Sequence, residues 1–169
     1  MTKPLVVLDA DVLGRRRTGD ETYVEHLLRT LPLVAGDFRY AALTRRPDLV
    51  PDGVEAVHVP ARVQELRMAW SVPRVLRRLR PAVAHFLHVL PPALPCAAVV
   101  KIPDLSWQRD PSVMNARDRM IFRTLVPRAA RRAARVVTVS ERSKRDLVTT
   151  YGLPPEKIVV TPPASRRGV

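Results

Sequence analysis

The stretch from Arg135 to Pro162, RVVTVSERSKRDLVTTYGLPPEKIVVTP, limits the possible folds more than any other part of the chain. It opens on a short apolar run with the β-branched residues Val136, Val137 and Val139, which reads as a buried strand. Ser140 stands where a helix N-cap belongs, since its hydroxyl can accept a hydrogen bond from a first-turn N–H. The helix after it places Leu147, Val148 and Tyr151 on one side, with Arg142, Lys144, Arg145 and Asp146 mostly elsewhere. Gly152 closes it, in the left-handed conformation favoured just past a helix end, and a Pro-Pro turn leads into a second apolar run, Ile158 to Val160. Strand, capped helix and strand at this spacing predict a βαβ unit, hence a parallel sheet covered by helices. The fold class is α/β.

With 169 residues, the chain has the length of one domain with a proper core and hardly of two. A net charge of +13 invites nucleic acid, an anionic membrane or a phosphorylated substrate as partner. The excess is also explained by coding bias. Only four of the 29 basic residues are Lys and the other 25 are Arg, alongside abundant Ala, Val and Pro, as a GC-rich genome produces. The single Cys96 has no internal disulfide partner, which fits a reducing, cytoplasmic setting. Leu5 to Leu8 is too short for a secretory signal and is followed by Asp9 and Asp11, and no run reaches the roughly 20 apolar residues of a spanning helix.

Leu5 to Leu8 is the first predicted strand, ending in the acidic turn Asp9-Ala10-Asp11. The loop from Gly14 through Thr18 to Gly19 leads into a helix marked by Tyr23, Val24, Leu27, Leu28 and Leu31. A strand, a glycine-bearing loop and a helix start form an anion site, although the full dinucleotide or Walker spacing is missing. Asp20 and Glu21 occupy the first turn, where they satisfy the helix dipole and repel a phosphate; capping and ligand contact both stand. Phe38 to Leu43 and Ala56 to Val59 read as two more strands. In Val63 to Arg80, Leu66, Trp70, Leu76 and Leu79 alternate with Arg67, Arg74, Arg77, Arg78 and Arg80, and Pro73 kinks the helix or begins a second one. Two readings apply: a surface helix with its apolar stripe on the sheet, or a basic helix lying on an anionic membrane face.

Val83 to Leu87 is the fourth strand, with His85 and His88 near its end, where open α/β sheets place their ligands. Two His three apart with no third ligand do not make a metal site, and no metal is expected; packing and loop hydrogen bonding suit them better. Ala97 to Ile102 is the fifth strand and runs into the turn Pro103-Asp104-Leu105-Ser106-Trp107. Asp104 can position a substrate hydroxyl or bond its own loop as an Asx turn. Met114 to Ala134 is a long helix with Met120, Ile121, Leu125 and Ala129 as its apolar stripe and a kink expected at Pro127. Its arginines lack the interleaved aromatics of a single-strand platform, so nucleic acid is not an expected partner.

Taken together these pieces resemble the N-terminal domain of a GT-B-fold glycosyltransferase of the large retaining family 4. VTVSERSKRDLVTTYGLPPEKIVVTP is similar to that family's strand-helix-strand before the interdomain linker, and LDADVLGRRRTGDETYVEHLL to its first strand, glycine loop and helix. AVVKIPDLSWQRDPSVMNARDRMIFRTLVPRAARRAARVVTVS resembles the segment in which a strand ends in a His-Asp pair. The resemblance implies a Rossmann-like three-layer sandwich over residues 1–162, a tail at 163–169 where the linker begins, and a C-terminal donor-binding domain absent from this chain. It implies hexosyl transfer, with retention, from a nucleotide sugar to a sugar or lipid-linked acceptor, and no turnover by this half alone. Thr18, Gly19, His88, Asp104, Ser140, Ser143 and Lys144 are the implied donor- or acceptor-binding residues, Lys144 through its charge. The chain departs from the family at three places. Glu21 replaces a second glycine, Pro103 the usual catalytic His, and Pro163-Ala164 the usual Asn-Gly. A non-catalytic Rossmann-like binding module is the alternative that these departures leave open.

Overall fold

In a computed structural model of the chain, residues 2–15, 18–61, 63–110, 112 and 114–162 are described, and the tail at 163–169 lies outside them. Seven strands form one sheet: β1 (Leu5–Asp9), β2 (Arg39–Thr44), β3 (Glu55–His58), β4 (Val83–Leu87), β5 (Ala97–Lys101), β6 (Arg135–Thr138) and β7 (Ile158–Val160). Every neighbouring pair is parallel and the order is β3-β2-β1-β4-β5-β6-β7. The chain therefore winds outward from β1 in one direction and then, from β4, in the other. The reversal falls between β1 and β4, and at such a point the loops at the carboxyl ends part to leave a crevice.

Helices cover both faces, as a parallel sheet requires. Helix α1 (Thr18–Val34) packs Val24 and Leu28 on Leu8, Tyr40 and Ala42. On the other face a compound helix runs from α2 (Gln64–Leu66) through a π-helical turn (Arg67–Ser71) into α3 (Val72–Leu79). There Met68, Val72 and Leu76 meet Val7, Leu43 and Phe86. Pro73 lies in the first turn of α3, directly after the π-helical turn. A four-residue helix α4 (Ser106–Arg109) forms where the sequence predicted only a turn, and α5 (Ala116–Arg132) passes through Pro127. Helix α6 (Glu141–Tyr151) has the predicted caps: Ser140 accepts from Ser143 N, and Gly152 takes φ 63°. Val100, Val126, Ala129, Val136, Leu147 and Ile158 form the core between α5, α6 and the sheet.

Several sequence expectations fail on which side of a helix faces in. Leu66 and Trp70 are exposed, Trp70 at 65%, because the π-turn rotates the helix and presents Met68 and Arg67 to the sheet instead. Met120 and Leu125 are also exposed, and the buried stripe of α5 is Val126, Ala129 and Ala130. Trp107, in the segment after β5, is buried against Phe122.

Arg67 is the largest departure. Read as part of a solvated basic face, it is fully buried at the end of β1. Its Nη2 donates to Asp9 Oδ1 at 2.5 Å and to Leu43 O at 3.1 Å, and its Nε lies 3.5 Å from Asp11 Oδ1. Arg45 grips both oxygens of Asp11, at 2.7 and 2.8 Å, and Arg15 adds a further contact. Burial works against the charge on Arg67, but Asp9 and then Asp11 hold its pKa above the ordinary value. Burial pushes the Asp9 carboxyl up, with Arg67 pulling the other way. Removing one partner of such a group strands the other in a dry site. Arg67→Met is expected to cost about 3–5 kcal/mol in urea unfolding. Arg67→Lys should recover little of it, since a single ammonium lacks the fork that spans Asp9 and the Leu43 carbonyl.

Candidate functional site

At the carboxyl edge beside the β1/β4 reversal, the start of α1 meets the ends of β4 and β5. The β1–α1 loop enters α1 at Thr18 and Gly19; the side chain of Thr18 lies outside what is described. Gly19 is exposed, and a Cβ there would meet nothing within 4 Å, so its surroundings in the fold do not demand glycine. The two first-turn carboxylates are engaged beyond the helix rather than capping it. Glu21 Oε1 accepts the Gly14 N–H at 2.6 Å, and Asp20 reaches across the sheet edge.

Asp20 Oδ2 lies 2.8 Å from His88 Nε2 and its Oδ1 3.4 Å from Lys101 Nζ. His88 directly follows β4 with φ 58°, a left-handed conformation uncommon outside glycine. Its N–H donates to Lys101 O at 2.9 Å, and its ring lies 5.4 Å from that of Phe122. Lys101 ends β5 almost fully buried, with its ammonium 3.8 Å above the centre of the Tyr23 ring. The Tyr23 hydroxyl in turn lies 3.1 Å from Nε2 of His85, buried beneath. His85, Tyr23, Lys101, Asp20 and His88 thus form one continuous polar chain from the sheet interior to the crevice.

Electrostatics sort these groups. Burial alone would raise the Asp20 carboxyl, but the hydrogen bond and charge of His88, then Lys101, hold it below its ordinary value. Burial lowers Lys101, with Asp20 resisting. Tyr23 is pushed up to about 12 by burial and then by Asp20, so it stays a phenol. His85 is lowered to about 4, chiefly by burial and also by Lys101, against a hydrogen bond with the Val99 backbone.

The remaining predicted site residues occupy the ends of β5 and β6 without touching this chain. Asp104 is exposed and accepts the Ser106 N–H at 2.8 Å, which is the Asx-turn arrangement. Pro103 supplies a carbonyl to Thr138 Oγ1 at 3.0 Å. Ser140 caps α6 with its hydroxyl 3.0 Å from that of buried Ser143. Lys144, predicted to attract an anion, donates to Ile158 O at 3.0 Å and ties α6 to β7. Among the described residues no three His, Cys, Asp or Glu side chains converge to hold a metal ion.

Sequence reasoning did not single out Lys101 or join Asp20 to His88. A signal for the first existed: Lys is rare in this chain, and Lys101 ends an otherwise apolar strand at the functional edge. None existed for the second, since Asp20 and His88 meet only when β1 and β4 pair.

The profile of Glycosyltransferase Family 4 matches residues 17–164, and the chain belongs to that family. Two solved structures are similar to it. One is a UDP-GlcNAc 2-epimerase from Methanocaldococcus jannaschii, with TM-score 0.56 and 14% identity over 92% of this chain and 44% of that one. The other is a glycosyltransferase from Rickettsia africae ESF-5, with TM-score 0.57 and 12% identity over 96% of this chain and 43% of that one. The chain thus spans under half the length of either structure. No curated protein matches it in sequence.

Unfolding would let His85 protonate at its ordinary 6.5, whereas in the fold it stays neutral down to about 4. Its stabilising contribution is therefore complete above 6.5 and lost as pH falls toward 4, on the order of 3 kcal/mol in all. Denaturant unfolding at pH 7.5 and 4.5 should show this loss, and His85→Gln should remove its share of it.

Proposed function

We propose that the chain is the acceptor-side half of a retaining glycosyltransferase that moves a hexosyl group from a nucleotide sugar to a sugar or lipid-linked acceptor. The observation that carries this is the family match over residues 17–164, in a chain whose parallel sheet reverses its winding between β1 and β4, with Asp20, His88 and Lys101 at its carboxyl edge. The UDP-linked sugar named for the archaeal neighbour supports a nucleotide-sugar donor. That the chain spans 43–44% of its structural neighbours supports a second, donor-binding domain facing the crevice. Transfer of this kind relies on positioning and on stabilising the departing phosphate, so residues 1–169 alone do not turn over.

The reading takes the nucleotide sugar as co-substrate and includes no metal. The polypeptide with both halves should release nucleotide from one member of a donor panel in an acceptor-dependent way, and residues 1–169 should not. Silence of the two-domain form across all common donors would refute catalysis. Pro103→His should confer no activity on residues 1–169, because the donor-binding wall is still missing.

The reading includes a cytoplasmic location with peripheral contact to the membrane. Exposed Trp70 beside exposed Arg74, Arg77 and Arg78 supports it, since such a surface suits an anionic lipid interface. No helix among the described residues is long and apolar enough to cross a membrane. Co-sedimentation with vesicles containing phosphatidylglycerol should be salt-sensitive and should fall several-fold in Trp70→Ala. Equal sedimentation of the variant would discard the contact.

A further inference from the structure

The side of α5 turned away from the core carries a row of arginines. Arg119 and Arg123 are four residues apart and Arg131 is eight further on, so all three stand near one line along the helix, with Arg128 beside them. Gln108 from α4 and Tyr151 from α6 complete the wall of a groove of about 780 Å³, a size that suits a small ligand. Among the described residues no carboxylate lines it. Many arginines of the chain do come with an acid: Arg15, Arg39, Arg45, Arg46, Arg67 and Arg117 each reach an Asp or Glu. In the groove, Arg131 Nη2 donates to the Tyr151 carbonyl at 3.5 Å, and Arg123 and Arg128 have no partner among the described residues. Coding bias accounts for the number of arginines, but not for their gathering around one concavity without an acid, where like charges a turn apart weaken the helix that bears them.

The uncharged wall suits an anion as well. Gln108 Nε2 donates to the Tyr151 hydroxyl at 2.7 Å, and among the described residues the proton of that hydroxyl has no acceptor. Burial pushes Tyr151 up to about 12, against the charge of Arg131, so it remains a phenol able to donate. A ligand between the helices therefore meets guanidinium forks from α5 and a hydroxyl from α6. Such forks match phosphate oxygens two at a time. Arg131 and Tyr151 stand at the ends of their helices, just before β6 and β7 begin, which is the amino side of the sheet. The groove is thus separate from Asp20, His88 and Lys101 at the carboxyl edge and shares no residue with them.

We propose that the groove between α5 and α6 is a second ligand site, which takes a molecule bearing two or more phosphate groups on Arg123 and Arg128, with Arg119, Arg131 and the Tyr151 hydroxyl around them. A soluble oligophosphate and a cluster of anionic lipid headgroups both present this chemistry, and the test below separates the two sources. The site stands independently of the glycosyl-transfer reading, since binding at it requires neither a donor nor a second domain.

Inorganic tripolyphosphate titrated into the 169-residue chain at near-physiological salt should bind once per chain by calorimetry. In amide correlation spectra it should shift residues along 119–131 and at 150 and 151, and leave Asp20 and His88 in place. Arg123→Gln combined with Arg128→Gln should weaken binding at least about tenfold. Arg77→Gln combined with Arg78→Gln removes the same charge from α3 and should leave binding unchanged. All four side chains are exposed, so both pairs are expected to fold. If tripolyphosphate does not bind, but phosphatidylglycerol vesicles sediment the chain and release it in the Arg123/Arg128 pair, the site stands with lipid headgroups as its ligand. Tripolyphosphate shifts centred on other residues overturn the proposal, as does an Arg123/Arg128 pair that binds it no more weakly than the α3 pair. Binding of neither probe, or vesicle binding alone that the Arg123/Arg128 pair leaves intact, overturns it too.

Discussion

A guanidinium withdrawn from water at the end of β1 is what the functional edge is assembled around. Arg67 satisfies Asp9 and the Leu43 carbonyl while its Nε approaches Asp11, which Arg45 and Arg15 also hold. Two carboxylates on consecutive turns of a strand exit would repel each other and the dry sheet end without these cations. With them, the β1–α1 loop is tied at once to β2 and to the compound helix on the opposite face. Replacing such a cluster by apolar residues need not lower stability. Its effect here is geometric: it fixes the exit of β1, from which the chain runs on to Asp20.

From that starting point the crevice follows. The sheet reverses its winding between β1 and β4, so α1 and the end of β4 face each other across a gap. Asp20 bridges the gap to His88 and to Lys101, and the Tyr23 ring beneath shields the ammonium. In a site partly withdrawn from water these contacts fix ionisation states as well as positions. The carboxylate stays charged, and the phenol and the deeper His85 stay neutral. Membership of Glycosyltransferase Family 4 gives this arrangement a chemical context. The fold alone would not, since an epimerase shares it.

The two faces of the sheet are not equally covered. Among the described residues α1 is the helix on its face, packing on β1 and β2 and reaching Leu87 of β4. Farther along that face Val99 and Val137 are half-buried and Val159 is 44% exposed, and none belongs to a core cluster. The opposite face carries α3, α5 and α6 and has the denser core. The difference follows from right-handed crossovers: every connection running from β4 toward β7 lands on one side.

Much of the fold was legible in the chain because local rules governed it. The apolar runs predicted all seven strands to within a residue or two, and Ser140, Gly152 and Pro73 marked helix ends through capping and fixed φ. Local rules could not say which way a helix turns once packed. Leu66, Trp70, Met120 and Leu125 face outward and Arg67 inward because the π-turn and the sheet beneath decide, not the residue's polarity. For the candidate site, sequence placed Gly19, His88, Asp104 and Ser140 at strand exits. It also allowed an Asx turn at Asp104 and a cap at Ser140, the roles in which the structure shows them. By itself, then, the sequence determined an α/β chain with a parallel sheet and its loops at the carboxyl edge, since strand and helix signals act over a few residues. Only tertiary structure decided that Asp20, 68 residues from His88, would come within 2.8 Å of its ring, because that contact exists only once β1 and β4 lie side by side.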